Sequence, residues 1–192
     1  MSWLIPAWED GTLKPMDKLD VHRRGLKHKA ISVFVTEGDR VLIQRRALHK
    51  YHTPGLWANT CCTHPHWGES DLDCATRRLS EELGISGLEL RHAGEIEYRA
   101  DVGGGLVEHE GVQVYTARAM SDLPVTPNPD EVADVDWINL PALRSIVERR
   151  PERFTPWLRI YLAKHLETIF GPHAATAPIA AAREKSKADI GA

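Results

Sequence analysis

Hydrophobic and polar positions alternate from Lys29 to Thr36 (KAISVFVT) and again from Arg40 to Arg46 (RVLIQRR), with Glu37-Gly38-Asp39 between them. Two β-branched, period-two runs joined by a Gly-containing turn predict a β-hairpin. Periodicity is lost from Ala47 to Trp57, where Pro54-Gly55 enters, so a loop with a basic entrance is expected, leading to a short strand over about Ala58 to Cys62. The period then changes to that of a helix. Leu72, Ala75, Leu79 and Leu83 fall on one face, Ser70 and Asp71 supply N-cap candidates, and Gly84 supplies the stop. Leu88 to Arg99 and Leu106 to Arg118 read as strands separated by the Gly-rich Asp101 to Gly105. Val132 to Ile138 is a further short strand, followed by helices near Pro141 to Glu148 and from about Thr155 to Phe170.

This order is mixed α+β, without an internal repeat. After Gly171 the chain is Ala-rich with Pro172, Pro178 and scattered charges, and has little to bury. Residues 1–170 are therefore expected to form one domain, and residues 171–192 a disordered or weakly helical tail.

Composition narrows the function classes. The 192 residues carry 24 Lys and Arg against 27 Asp and Glu, a net charge of -3. That balance supplies no broad field for a polyanion, so nucleic acid is not the expected partner and phosphate binding would need a local cationic cluster. No apolar run approaches the roughly 20 residues of a membrane helix, and MSWLIPAWED lacks the order of a signal peptide. A cytoplasmic monomer without a membrane partner is expected. Three cysteines, Cys61, Cys62 and Cys74, are odd in number and read as thiols rather than staples.

Chemistry is densest in Asn59 to Ile85, NTCCTHPHWGESDLDCATRRLSEELGI. From Thr63 onward the segment resembles the Nudix signature GX5EX7REUXEEXGU, with Glu69, Arg77, Leu79, Glu81, Glu82, Gly84 and Ile85 in register. It departs at Thr63, where the signature has Gly, and at Arg78, where it has a metal-gathering acid. Arginine has no lone pair to offer a metal. Arg78 lies one helical turn from Glu82 and could hold a phosphate oxygen instead. Together with NTCCTHP, this departure resembles the type I isopentenyl-diphosphate isomerases, which have the Nudix fold but move a double bond instead of cleaving the diphosphate.

The resemblance, spanning roughly Lys18 to Trp157, implies an α+β Nudix-like fold with mixed β-sheets sandwiched between helices. It places the active-site cysteine on Cys62 and the catalytic acid on Glu110 of VEHEGV, assisted by Tyr98. It implies one Mn or Zn ion held by His22, His28, His64, Glu108 and Glu110, and Mg held by Glu82 and the Cys62 carbonyl against the substrate's diphosphate. Lys18, Arg46, Lys50 and Arg78 fall on diphosphate contacts, and Trp157 on the wall of the allylic or homoallylic pocket, with Trp57 a second wall. The implied reaction protonates a terminal alkene to a tertiary carbocation and removes a proton from the carbon nearer the oxygen. Glu110 is expected to deliver the proton and the Cys62 thiolate to remove one, while Trp157 shields the cation.

The same residues allow plainer readings. A lone Cys62 would be a small buried apolar group, Glu108 and Glu110 a solvated strand face, and Trp157 ordinary core. The competing functions are a Nudix hydrolase, which Arg78 argues against, and a non-catalytic metal-holding module, whose site would usually be cysteine-rich.

Overall fold

The computed structural model describes residues 4–172 and Lys187. The expected tail, apart from Gly171, Pro172 and Lys187, lies outside the described residues. The order is β1 (Leu4–Glu9), β2 (Thr12–Asp17), α1 (Lys18–Arg24), β3 (Lys27–Glu37), β4 (Arg40–Arg46), β5 (Trp57–Asn59) and β6 (Cys61–Thr63). There follow α2 (Asp71–Leu83), β7 (Arg91–Gly103), β8 (Leu106–Arg118), β9 (Val132–Asn139), α3 (Leu140–Arg149), α4 (Pro156–Lys164) and α5 (Leu166–Phe170).

β3 organises the molecule. It runs parallel to β8 over ten residue pairs, antiparallel to β6, and meets β1 at Ala7 and His28. Its side chains alternate between two cores. Ile31, Val33 and Val35 pack with Cys61, Leu79 and Leu83 under α2. Ala30 and Phe34 pack with Trp157, Tyr161 and Leu166 under the C-terminal helices. Period-two burial on both faces makes β3 a strand that only a helix–sheet–helix sandwich can satisfy.

The hairpin exists but opens at once. β3 and β4 pair only at Thr36–Val41 and Glu37–Arg40, after which β4 turns to β9 and β5. The single strand expected over Ala58 to Cys62 is two strands, because the chain crosses at Thr60 from the β4 side to the β3 side. Side chains do the backbone's work there. The Thr60 hydroxyl accepts from Val35 N–H at 2.9 Å and donates to the Leu42 carbonyl at 2.6 Å. The Asn59 amide donates to the Val33 and Cys61 carbonyls. The long C-terminal helix is also two, broken at His165 (φ -130°, ψ 20°) so that Leu166 and Ile169 reach the sheet.

The N-terminal elements carry no strong hydrophobic period and are additions to the sequence reading. Asp17 caps α1 by accepting from the Leu19 and Asp20 N–H groups, each at 3.0 Å, and Gly25 ends it in a left-handed turn. α2 begins and ends where expected, at Ser70 and Gly84. A Cβ at Gly84 would meet the Thr126 Cβ at 3.0 Å, so the glycine admits both the left-handed cap and the segment that crosses it.

Glu69 fastens the loop before α2 to the helix. It accepts from Arg77 Nε at 2.6 Å, Arg77 Nη2 at 2.8 Å and the His66 N–H at 2.8 Å. The Arg77 contact holds its carboxyl down, at about 2 against an ordinary 4.5. A depressed carboxyl stabilises the fold above its unfolded pKa, and the contribution is lost as pH falls through the folded one. Glu69→Gln is therefore expected to cost about 1–3 kcal/mol at pH 7. The difference from the parent protein should shrink as pH drops from about 4.5 toward 2 in urea unfolding series; a pH-independent gap would assign the loss to packing.

Candidate active site

Alternation on β8 turns Glu108 and Glu110 to the same buried face. The ladders then choose their neighbours: Glu110 lies beside His28 of β3 and opposite Tyr98 of β7. The Tyr98 hydroxyl reaches both carboxylates, at 2.8 Å to Glu108 Oε2 and 2.7 Å to Glu110 Oε2. Burial and the Glu110 charge push the Glu108 carboxyl well up. Burial works against ionised Glu110 too, but His28 and His64 outweigh it and hold its pKa well below the carboxylate range.

Three histidines converge on Glu110, from α1, from β3 and from the loop after β6. His22, on α1, donates from Nδ1 to the Lys18 carbonyl at 2.7 Å; His28 donates from Nδ1 to the Leu26 carbonyl at 2.8 Å. Those carbonyls orient the rings and turn each Nε2 inward. His28 Nε2 lies 3.1 Å from His64 Nε2, which lies 3.0 Å from Glu110 Oε1. His22 Nε2 is buried without a hydrogen-bond partner. Burial lowers the His22 pKa to about 4 and takes His64 well down, so both imidazoles are neutral, the form that ligates.

Ligand atoms of His22, His28, His64 and Glu110 all lie within 4.8 Å of one another. An orphaned buried nitrogen among imidazoles and a carboxylate fits a divalent cation. Glu108, the fifth expected ligand, stands in an overlapping set with His22 and His52. His52 was not singled out from the sequence. It sits in the aperiodic loop, where spacing carries no signal, with Nε2 3.7 Å from Glu108 Oε1 and a pKa lowered by burial to about 2.

Cys62, on β6, pairs with Ser32 of β3 and accepts at Sγ from the Ser32 hydroxyl at 3.3 Å; that hydroxyl also contacts Tyr161 Oη at 3.0 Å. Burial and the two glutamates push the thiol pKa well up. Burial thus favours the neutral thiol at Cys62. Cys61, by contrast, is wholly buried under α2.

Lys18, Arg46, Lys50 and Arg78 line the same cavity as Cys62, His64, Glu82, Glu108, Glu110 and Trp157. Burial and the neighbouring Lys50, Arg46 and Arg78 lower the Lys18 pKa to about 8. The Arg46 guanidinium stands 5.3 Å from the Trp157 ring centroid. Glu82 accepts from Arg78 Nη2 at 2.6 Å, Arg78 Nε at 3.1 Å and Gln44 Nε2 at 2.9 Å. Trp157 is almost fully buried and lines the cavity. Trp57 does not: it is a core residue whose carbonyl accepts from the Thr155 N–H. A wider cleft at the Thr36–Asp39 end of β3 gathers none of the metal-ligating groups.

Residues 26–158 match the family described as the NUDIX domain. Over 171 residues the chain is 65% identical to the isopentenyl-diphosphate Delta-isomerase of Dinoroseobacter shibae, covering 89% of this chain and 97% of that one. It is 64% identical over 171 residues to the enzyme of that name from Cereibacter sphaeroides, covering 89% and 97%. For the Rhodobacter capsulatus enzyme of that name it is 60% over 169 residues, covering 88% and 96%. Among solved structures, a protein of Deinococcus radiodurans superposes with a TM-score of 0.67 at 15% identity, covering 84% of this chain and 97% of that one. A MutT NUDIX hydrolase from Burkholderia pseudomallei gives 0.56 at 23%, covering 72% and 98%. At such identities the superpositions speak to the fold alone.

Proposed function

The chain belongs to the NUDIX domain family and, within it, to the isopentenyl-diphosphate Delta-isomerases, and from that premise we propose how its own residues interconvert isopentenyl and dimethylallyl diphosphate. Cys62 and Glu110 are the acid–base pair, and Tyr98 carries protons at Glu110. The observation that supports this reading is one cavity lined by a thiol, a carboxylate within 2.7 Å of a tyrosine hydroxyl, and four cations.

The reaction adds a proton to the terminal alkene carbon and removes one from the carbon nearer the oxygen. Because it is reversible, each group is the acid in one direction and the base in the other. In the direction that the resemblance implies, Glu110 delivers the proton, is reprotonated through Tyr98, and Cys62 removes one. The tertiary cation formed between them is exposed to capture by water. Trp157 covers it with an indole face worth about 1–2 kcal/mol to a desolvated cation.

His22, His28, His64 and Glu110, with Glu108, would hold Mn or Zn, and Glu82 with the Cys62 carbonyl would hold Mg against the diphosphate. Such ions supply charge that polarises the carboxylate and neutralises phosphate oxygens. Lys18, Arg46, Lys50 and Arg78 bind the diphosphate, and Arg78 stands where a hydrolase keeps a metal-binding acid. The substrate is a small homoallylic or allylic diphosphate that supplies isoprenoid synthesis. A cytoplasmic monomer acting without nucleic acid or membrane suits the net charge of -3, and no helix among the described residues is long and apolar enough to cross a membrane.

The test is isopentenyl diphosphate with Mg in deuterium oxide, followed by NMR. Dimethylallyl diphosphate carrying deuterium, without released phosphate, is expected. Phosphate release without isomerisation would make the site hydrolytic, and an unchanged substrate would leave a binding module.

A further inference from the structure

Arg78 has five N–H donors, and four are already committed. Nε and one Nη2 hydrogen go to Glu82 Oε1, one Nη1 hydrogen goes to Glu81 Oε2 at 2.9 Å, and the second Nη2 hydrogen goes to Glu131 Oε2 at 3.1 Å. The same Glu131 oxygen accepts from Lys50 Nζ. One carboxylate oxygen thus sits between the two cations, in the position that a phosphate oxygen would need. The space among the cavity side chains is about 40 Å³, enough for one or a few waters. A phosphate oxygen that reached both cations would have to displace a group that is already there.

Glu131 is built to be that group. Its segment is clasped to the end of α2, with Thr126 N–H donating to the Leu83 carbonyl at 2.7 Å and Asn128 N–H to the Glu82 carbonyl at 2.9 Å. Its own carbonyl accepts from Ala47 N–H at 3.0 Å, so backbone and side chain both grip the loop that carries Lys50. Its side chain remains about one quarter exposed, which leaves it room to swing outward.

We propose that Glu131 is the resident counter-ion of the diphosphate site, holding Lys50 and Arg78 in place until a phosphate oxygen takes them over. The proposal rests on the reading of Lys50 and Arg78 as diphosphate contacts. Glu131 is a positioning residue: it restrains two cations that would otherwise repel one another, at the cost of competing with the substrate for them.

The experiment is calorimetric titration of the full chain with inorganic pyrophosphate in excess Mg. Glu131→Gln, which removes the charge and keeps the shape, is expected to bind pyrophosphate about tenfold more tightly. KM for isopentenyl diphosphate should fall by a similar factor without a rise in kcat. Glu131→Asp restores the charge and should return affinity toward that of the parent. If Glu131→Gln does not fold, Glu131→Ala should tighten binding in the same sense. A merely structural Glu131 would weaken binding in every variant; equal or weaker pyrophosphate binding by Glu131→Gln and Glu131→Ala overturns the proposal. Failure of the parent protein to bind pyrophosphate would instead remove the diphosphate reading on which it rests.

Discussion

Cys62→Ala leaves a folded protein whose turnover of isopentenyl diphosphate falls by about 10⁴-fold, the upper range for removing a group that transfers a proton in the transition state. The fold should survive because Cys62 is only half-buried at the margin of the core, and the Ser32 hydroxyl that donates to it keeps Tyr161 as a partner. An unfolding midpoint within a few degrees of the parent, with rates measured by conversion to dimethylallyl diphosphate, checks both halves. Loss of both stability and activity would point to packing, and near-normal turnover would remove Cys62 from the mechanism. The raised thiol pKa adds an independent readout. Alkylation by iodoacetamide should be slow at pH 8 and accelerate only above the ordinary thiol pKa, because the thiolate is the nucleophile.

Glu110→Gln is expected to lose catalysis and metal together. The carboxylate lies 3.0 Å from His64 Nε2 and 2.7 Å from the Tyr98 hydroxyl, and it is the carboxylate in a group whose other members are histidines. Its amide can neither carry the transferred proton nor balance a divalent ion. Turnover should fall by about 10²–10⁴-fold. Manganese should raise the unfolding midpoint of the parent by selective binding to the native state, and that of Glu110→Gln far less. Metal content measured on the purified proteins separates the two effects. Full occupancy with no turnover would confine Glu110 to proton transfer, and an active variant would overturn its role.

The identity of the chemistry was legible in a stretch of 27 residues. NTCCTHP, the Glu69, Arg77 and Glu82 register and the arginine at position 78 are local in sequence because α2 and the short strands and loop just before it carry them. Periodicity was equally local, and α2, β8 and β9 stand close to where alternation and caps placed them. The division of Ala58 to Cys62 into two strands was not legible, since it depends on Thr60 bonding two strands that are distant in sequence.

The sequence by itself determined the candidates for acid–base and phosphate chemistry, because a local motif carries the family resemblance that names them. Only the tertiary structure decided which of them meet. Parallel register sets His28 beside Glu110, and the loop between β4 and β5 brings His52 to Glu108. The clasp across Gly84 carries Glu131 to Lys50 and Arg78. The ionisation of the site belongs to the fold as well: burial raises the thiol and Glu108, while His28 and His64 hold Glu110 charged. Desolvation and charge proximity are properties of three-dimensional packing, and no spacing along a chain encodes them directly.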